Sequence, residues 1–263
     1  MSAGLPTGFV GPQLMALGGI PEIRPGADLG GLIAARCSAS AIALCDDDIL
    51  VVAQKVVSKA ENRFRALDQI FPSPRAHELA AICGKEPRRV QAVLDESVEV
   101  VRVAGNGRTG VLIARHRQGW VMANAGIDES NLGVEGQVLL LPENPDRSAA
   151  GLADRLQQLT GVRPGIIVTD TFGRPWRHGQ LNVAIGISDV SPLIDWVGAP
   201  DAYGRRLEVT QQAFADEIAA ASGLCMVKDA LSPVVLVRGL RWVRSPNAKA
   251  IEYIRPLKED LFK

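Results

Sequence analysis

An apolar run leads directly into a polar, arginine-rich segment: Pro164-Gly165-Ile166-Ile167-Val168 is followed by Thr169-Asp170-Thr171-Phe172-Gly173-Arg174-Pro175-Trp176-Arg177-His178-Gly179-Gln180. The apolar run, bounded by turn residues, predicts a short buried strand over residues 166–169. Because ligands commonly bind at the carboxyl ends of strands in open α/β sheets, we expect Asp170 to emerge at such an end. A carboxylate, a hydroxyl and two guanidiniums there indicate a metal-bound phosphate. A loop whose single acid pairs with its own arginines is an equally good interpretation of these residues alone.

Short apolar runs alternate with helical patterns on both sides of this segment, which favours a mixed α and β protein. Strands are predicted over residues 49–52, 99–103, 110–114, 119–123, 138–141, 166–169 and 234–238. Helices are predicted over residues 28–37, 74–83, 87–96, 148–160 and 210–223. The turn residues Gly105-Asn106-Gly107 between two of the strands indicate a local antiparallel meander.

The predicted helix over residues 148–160 has the clearest pattern. Ser148 can cap its N-terminus, leucines recur at helical spacing, and Gly161 supplies the stop. The preceding segment, Pro142-Glu143-Asn144-Pro145-Asp146, has the composition of a connection. It marks a candidate boundary between two subdomains near residues 142–148.

Composition argues against several classes of protein. The 263 residues are 47% hydrophobic, enough for a substantial core without disulfide staples. Lys plus Arg and Asp plus Glu each total 29, so the zero formal net charge gives no reason to expect nucleic acid or an anionic membrane as a partner. No run reaches the roughly 18 apolar residues of a membrane span. The four cysteines form no CxxC pair and the histidines lie far apart, which argues against zinc and favours a cytoplasmic protein with free thiols.

Two further polar segments follow predicted strands. The first is Gln54-Lys55-Val56-Val57-Ser58-Lys59-Ala60-Glu61-Asn62-Arg63, whose lysines and serine suit a polyanion. The second is Asn124-Ala125-Gly126-Ile127-Asp128-Glu129-Ser130-Asn131, whose oxygen-rich side chains suit Mg²⁺ or Mn²⁺. A solvated helix start with a surface charge run is the commoner origin of the first pattern, and an ordinary turn is the commoner origin of the second.

Familiar nucleotide and hydrolase motifs are absent from the chain. It contains no GxxxxGK[ST] phosphate loop, no GxGxxG fingerprint and no GxSxG elbow. A bound nucleotide would therefore need an unusual arrangement. His178, beside the arginines, is more typical of a hydrogen-bonded structural histidine than of acid–base chemistry.

Several segments, taken together and in this order, resemble the coenzyme F420:L-glutamate ligase family. They are Gly19-Ile20-Pro21-Glu22, residues 52–63, residues 124–131 and residues 169–174, with the similarity continuing through 201–205, 215–220 and 237–240. The resemblance covers nearly the whole chain, and the combination is far more specific than any one segment. Some bacterial members carry a second, nitroreductase-like domain after this region, which a chain ending at Lys263 is expected to lack.

The resemblance implies an α+β fold with mixed and antiparallel sheets, flanking helices and two subdomains, in an intertwined homodimer. It also implies a ligase that adds L-glutamate to the deazaflavin coenzyme F420-0, with further γ-linked glutamates in many members. GTP is the implied co-substrate, and the implied ions are Mg²⁺ or Mn²⁺, helped by K⁺.

The resemblance assigns site residues as well. The family's metal ligands fall on Asp128, Asp170 and Thr171, the last of these at a second metal. Its nucleotide contacts fall on Ile20, Pro21, Glu22, Ile23, Gln54, Lys55, Lys59, Asn131, Met226 and Lys228. We expect Lys59, Asp128, Asp170 and Arg174 to act in catalysis, because a metal held by the acids would neutralise phosphate charge while the cations position the transferring group.

Lys228 departs from the family pattern. An archaeal-type member has a second-metal glutamate there, in a loop one residue longer, and a protonated lysine cannot ligate a cation. Either Asp229 serves instead, or the second metal is lost and Lys228 neutralises phosphate charge in its place.

The resemblance implies a two-step reaction, with which the charges of these residues agree. GTP phosphorylates the terminal carboxylate of the acceptor, and the amino group of glutamate then displaces phosphate to form the amide. Two alternatives share the same motifs: an amide ligase acting on another carboxylate cofactor, and a non-catalytic protein that binds a nucleotide or a deazaflavin. Paired acids beside a phosphate site argue against the second alternative.

Overall fold

A computed structural model of the chain describes residues 11–130, 132–133, 135–226 and 232–260. Its strands, in chain order, are β1 (Gln13–Ala16), β2 (Ile49–Ala53), β3 (Phe64–Ala66), β4 (Ser97–Gly105), β5 (Gly110–His116), β6 (Val121–Ala123), β7 (Gln137–Leu139), β8 (Gly165–Arg174), β9 (Arg177–Ser188), β10 (Ile194–Asp195), β11 (Gln211–Gln212) and β12 (Val234–Arg238). Its α-helices are α1 (Leu29–Ala39), α2 (Gln54–Ala60), α3 (Pro74–Cys83), α4 (Pro87–Asp95), α5 (Pro145–Thr160) and α6 (Phe214–Gly223). The predicted α+β fold with mixed and antiparallel sheets is confirmed.

The largest sheet has five strands in the order β1-β12-β2-β8-β9. Strands β2 and β8 are parallel, whereas the other neighbours in this sheet are antiparallel. The residues of β2 from Ile49 to Val52 are fully buried and uniformly apolar, as expected for a strand covered on both faces. Helices α5 and α6 pack against β9, and α1 packs against α5.

The predicted antiparallel meander is confirmed as a three-stranded sheet in the order β4-β5-β6. Gly105 pairs with Gly110 at the tip of its first hairpin, where Gly107 has a φ of 79°. Asn106 stabilises the turn, since its Oδ1 accepts hydrogen bonds from the amides of Arg108 and Thr109. Helices α3 and α4 pack on this sheet.

The apolar core is divided into clusters. The largest cluster contains the five-stranded sheet and its helices, whereas two smaller clusters draw their buried residues from positions 67–140. Leu140 belongs to one of the smaller clusters and Leu141 to the large one. The expected subdomain boundary near residues 142–148 stays a prediction.

No helix in the described ranges is long and apolar enough to cross a membrane.

The expectation that Asp170 lies at a strand end was wrong. Strand β8 continues past it to Arg174, because β9 pairs with β8 along its whole length and turns back through Pro175 and Trp176. The arginine-rich loop offered as an alternative was wrong for the same reason.

Two predicted helix starts also differ from the structure. Helix α5 begins at Pro145, and its cap is Asn144 instead of Ser148. Proline is well tolerated in the first turn, where its missing N–H has no partner to lose. Helix α6 begins at Phe214 instead of residue 210, because residues 211 and 212 pair as β11 with β10.

A β-bulge in β9 is stabilised by a helix. Val168 pairs with Gly186 and Thr169 with Ala184, so Ile185 is the extra residue. The bulge is stabilised by Asp216 of α6, whose Oδ1 accepts a hydrogen bond of 2.8 Å from the Ala184 amide. Burial raises the pKa of Asp216, and this amide only partly offsets the effect.

Replacing Asn144 with alanine is expected to lower the free energy of unfolding by about 1 kcal/mol, because the amide of Arg147 loses its 3.0 Å bond to Asn144 Oδ1. Asn144→Ser keeps a capping oxygen and serves as the control. Urea unfolding of the three proteins gives the comparison, and equal stability of the alanine variant and the wild type would contradict the assignment of the cap.

Asp216→Asn is expected to gain stability relative to the wild type as pH rises from about 4. Because its pKa is raised, Asp216 keeps its proton in the native protein at pH values at which the unfolded chain has lost it. Its contribution to the free energy of unfolding is therefore fully present below the pKa of the unfolded chain and is lost as pH rises through the pKa of the folded protein. Asparagine can accept the same bond from Ala184 and does not titrate. Urea unfolding of both proteins at several pH values between 4 and 7 measures the trend, and a flat or falling difference would contradict it.

Candidate active site

One edge of the central sheet collects polar residues that are far apart in the chain. Because β2 and β8 are parallel, Gln54 and Lys55, which follow β2, lie beside Asp170 of β8. Asp128 is placed by a pair of backbone hydrogen bonds with Leu139. The charges of Asp128 and Lys55 both act on Asp170, and Gln54 hydrogen-bonds it.

Lys55 joins this edge to the segment that carries Asp128. Its Nζ lies 2.7 Å from Asp128 Oδ2 and donates to the Ser130 carbonyl at 2.8 Å. The amide and hydroxyl of Ser130 both donate to Asp128 Oδ1, at 2.7 and 2.9 Å. Burial opposes ionisation of Asp128, but the Lys55 ammonium and the Ser130 donors outweigh it and hold the pKa of Asp128 below its usual value.

Asp170 has the opposite balance. Desolvation raises the pKa of Asp170 to about 7, and the negative charge of Asp128 adds to the effect. The Thr171 amide, the Lys55 charge and Gln54 offset it only in part. The edge therefore holds one ionised carboxylate and one that is half protonated near neutral pH.

The two carboxylates are chemically suited to a hard divalent cation. Burial and the charge of Asp128 both oppose the deprotonation of Asp170. The positive charge of a cation would favour the ionised form. Mg²⁺ commonly takes one or two carboxylates and completes its shell with water and substrate phosphates. Within the described part of the chain, no cluster of three or more His, Cys, Asp or Glu side chains could hold a metal alone. The donor set thus fits an ion that arrives with its own oxygen ligands.

Thr171 does not share a face with Asp170. The two are successive residues of β8, so their side chains point to opposite sides of the sheet. The Thr171 hydroxyl lies 3.1 Å from Oδ1 of its cross-strand partner Asn182. Asn182 Nδ2 in turn lies 3.5 Å from Met226 Sδ. The expected second-metal role of Thr171 stays a prediction, and any such ion would lie on this other face.

The segment from Ile20 to Ile23 lies near α2. Ile20 and Ile23 are buried, whereas the side chain of Glu22 is 69% exposed. Glu22 forms an ion pair with Lys59, whose side chain is only 6% exposed. Lys59 is therefore buried and charge-balanced, which corrects the interpretation of residues 54–63 as a solvated charge run. Ser58 is also buried and donates to Gln54 Oε1 at 2.9 Å.

Arg174 lies at the far end of β8. It lies four positions after Asp170, or about 13 Å along the strand. Its Nη2 donates to the His178 carbonyl at 3.0 Å, and its buried Nε has no hydrogen-bond partner in the described ranges. The backbone thus does not bring Arg174 to the paired acids, and its expected catalytic role stays a prediction.

The remaining expected contacts fall at or beyond the limits of the described residues. Asn131, Lys228 and Asp229 lie outside them. Ser232 is described, and its Oγ lies 3.5 Å from where a Cβ on Gly18 would be. Ser232 therefore lies beside the segment that leads into Ile20.

Sequence reasoning named neither Ser130 as the partner of Lys55 nor Asn182 as the partner of Thr171. Ser130 lies within the oxygen-rich segment, where an Asx-type turn around Asp128 is a usable signal. Asn182 had no signal, because it becomes the neighbour of Thr171 only when β9 is paired with β8 in this register.

Comparison with known proteins gives consistent matches. The family model described as F420-0:Gamma-glutamyl ligase matches residues 19–239. The coenzyme F420:L-glutamate ligase of Methanothermobacter thermautotrophicus is 40% identical over 256 residues, which are 97% of this chain and 100% of that protein. The protein of the same name from Archaeoglobus fulgidus is 46% identical over 87% of this chain and 88% of its own length. The one from Methanopyrus kandleri is 44% identical over 92% and 94%.

Asp128→Asn and Asp170→Asn are each expected to weaken Mn²⁺ binding by more than the roughly tenfold loss typical of outer-shell changes. Each replacement removes an anionic oxygen ligand while keeping the shape of the side chain. Titration of free Mn²⁺ by electron paramagnetic resonance measures the affinity. Glu129→Gln, an exposed acid in the same segment, is the control and should bind Mn²⁺ like the wild type. Equal affinity of all four proteins would contradict the site.

Proposed function

Because the chain belongs to the F420-0:gamma-glutamyl ligase family, we propose that it ligates L-glutamate to the coenzyme F420-0 with hydrolysis of GTP to GDP and phosphate. The observation that carries the proposal is the placement of Lys55, Asp128 and Asp170 at one sheet edge. Paired acids beside a lysine suit the transfer of a metal-bound phosphoryl group.

The chemistry proceeds in two displacements. A carboxylate oxygen of F420-0 attacks the γ-phosphorus, and the bond between that phosphorus and the bridging oxygen of GDP breaks. The amino nitrogen of glutamate then attacks the carbonyl carbon of the acyl phosphate, the carbon–oxygen bond to phosphate breaks, and the nitrogen gives up its proton. A free carboxylate is a poor electrophile, which is why the first displacement is needed.

Asp128 and Asp170 would hold the divalent cation, Mg²⁺ or Mn²⁺. Such an ion would neutralise charge that develops on the transferring phosphoryl group. Lys55, whose Nζ lies 2.7 Å from Asp128 Oδ2, would position the transferring group through its ammonium. Lys59 supports this arrangement from inside α2, through its ion pair with Glu22.

The nucleotide would lie along the same edge, against the segment from Ile20 to Ile23, Gln54, Lys55 and Lys59, and against Asn131, Met226 and Lys228. Arg174 is proposed to contact substrate from the β8–β9 hairpin. This contact requires a substrate that extends about 13 Å from the paired acids, because Arg174 lies that far along β8 from Asp170. K⁺ is proposed as a further activator on the family likeness alone.

A homodimer is proposed as the working form. Large apolar side chains are exposed on the β8–β9 hairpin and on the segment that follows it: Trp176, Trp196, Val197, Tyr203 and Val209. Exposed apolar groups of this number are typical of surfaces that a partner covers.

We also propose a cytoplasmic location, because all four cysteines are free thiols.

Purified protein incubated with F420-0, GTP, Mn²⁺ and L-glutamate is expected to yield a product heavier by one glutamyl residue, together with GDP, as measured by mass spectrometry and chromatography. The number of products shows whether further glutamates are added. Lys55→Ala is expected to lower kcat/KM by about 100-fold, the typical cost of losing one electrostatic contact to the transition state.

Two other outcomes would contradict the proposal. Nucleotide binding without turnover would support a non-catalytic binding protein. Ligation that requires a different carboxylate acceptor would support an amide ligase for another cofactor. Arg75→Ala, which removes an exposed ion pair with Glu78 on α3, is the control for Lys55→Ala and should leave kcat/KM unchanged.

A further inference from the structure

Arg36 is a half-buried arginine in the last turn of α1. Its Nε is buried without a hydrogen-bond partner, and the side chain forms no ion pair with any described residue. A guanidinium carries five donors that need acceptors, and a buried donor without one costs free energy. An arginine in this state is ready to receive acceptor atoms from a ligand.

Arg36 lies against the segment that precedes Ile20. Gly19 has a φ of 78°, and a Cβ built there would lie 3.3 Å from both Cζ and Nη1 of Arg36. Only glycine adopts this conformation freely and leaves room for the guanidinium beside the backbone. The guanidinium is thereby fixed at the start of the segment that ends in Glu22 and Ile23.

The sheet fixes how far the segment that contacts Arg36 lies from Asp170. Leu17 continues β1 and bonds to Val234 at the start of β12, which pairs with Val52 at the end of β2. At this level of the sheet β1 ends, β12 begins, β2 ends and β8 continues, so that Gly19 lies beyond β1 and Asp170 lies on β8, in the strand order β1-β12-β2-β8. Three strand spacings separate these ends, or about 14 Å. This separation is comparable to that between the base and the γ-phosphate of an extended nucleoside triphosphate.

If an extended nucleotide has its phosphates at Lys55 and Asp170 and runs toward β1, its base lies at Arg36. Guanine presents two adjacent acceptors, O6 and N7, and arginine pairs with both at once. Adenine presents the N7 acceptor beside the N6 amino donor, which a group with no acceptor cannot match. An arginine at this position thus discriminates between the two purines.

We propose that Arg36 recognises the O6 and N7 edge of the guanine base and so selects GTP over ATP. The inference rests on the proposed function for the identity of the nucleotide and for the position of its phosphates. It assigns the discrimination to a single side chain outside the residues that hold the phosphates and the metal.

The test compares Arg36→Ala and Arg36→Gln with the wild type in nucleotide binding. Isothermal titration calorimetry with Mg²⁺ gives the dissociation constants of GTP, ATP and 7-deaza-GTP, which lacks the N7 acceptor. In the wild type, ATP and 7-deaza-GTP are each expected to bind at least about tenfold more weakly than GTP, since a hydrogen bond to a charged group is lost. In Arg36→Ala both ratios should fall toward one, because GTP loses affinity while ATP does not.

Arg36→Gln is the sharper variant. Glutamine pairs with adenine N6 and N7, so the preference of the wild type for GTP over ATP should reverse in Arg36→Gln. Arg75→Ala removes an exposed arginine from α3 and is the control for net charge. Thermal unfolding of each variant checks that the fold is retained.

An equal loss of affinity for GTP, ATP and 7-deaza-GTP in Arg36→Ala would overturn the inference, because it indicates a phosphate contact or a structural role at the end of α1. Unchanged affinities would overturn it as well. Ligation of glutamate by the wild type with GTP and ATP equally would overturn the inference and leave amide ligation standing. Failure of ligation with every nucleotide would overturn the proposed function, whereas the binding ratios would still decide the role of Arg36.

Discussion

The parallel pairing of β2 with β8 is the contact on which the candidate site depends. It aligns Ala53 with Thr169, so the residue after β2 and the middle of β8 meet at one edge. With β2 reversed against β8, Lys55 and Asp170 would lie a full strand apart, or about 17 Å for five residues. Both strands are buried and apolar up to this edge, so the burial that drives the folding of the sheet also fixes where the polar side chains begin.

Charge and burial at this edge are only partly balanced within the protein. Asp128 is neutralised by Lys55 at 2.7 Å, whereas Asp170 remains desolvated beside a like charge. Taking a carboxylate out of water without a partner is costly, and the group responds by retaining its proton. The fold thus keeps a carboxylate that is half protonated near neutral pH and that further positive charge would ionise more fully. Sites of this kind are typical of function, because natural cores otherwise avoid the arrangement.

Elements with strong local signals were predictable from the sequence. Helix α3 begins and ends where expected, because Ser73 caps it, proline occupies its first turn and Gly84 closes it with a φ of 64°. Strand β9 was not predicted, because its first half is polar and exposed and becomes a strand only by pairing with β8. The misplaced end of β8 has the same cause. Asn144 was not recognised as the cap because residues 142–146 have the composition of a connection, although a proline in the first turn is compatible with a helix start.

The site residues divide in the same way. Residues that follow apolar strands, such as Lys55, were recognisable as candidates from their position in the sequence. Arg36 was not, because a single arginine in an otherwise apolar helix carries no pattern; its meaning comes from the absence of a described partner and from contact with Gly19. Long-range contacts of this kind depend on sheet order, which local sequence does not encode.

Alternation along β8 also constrains how many ions the site can hold. Adjacent residues in a strand point to opposite faces, so the Asp170 carboxylate and the Thr171 hydroxyl cannot both ligate one ion through their side chains. The Thr171 hydroxyl is instead directed to Asn182, which contacts Met226. A second ion on this face would therefore have Thr171 and Asn182 as its described neighbours, so the choice between one metal and two depends on side chains across the strand from Asp170 and not on the paired acids themselves.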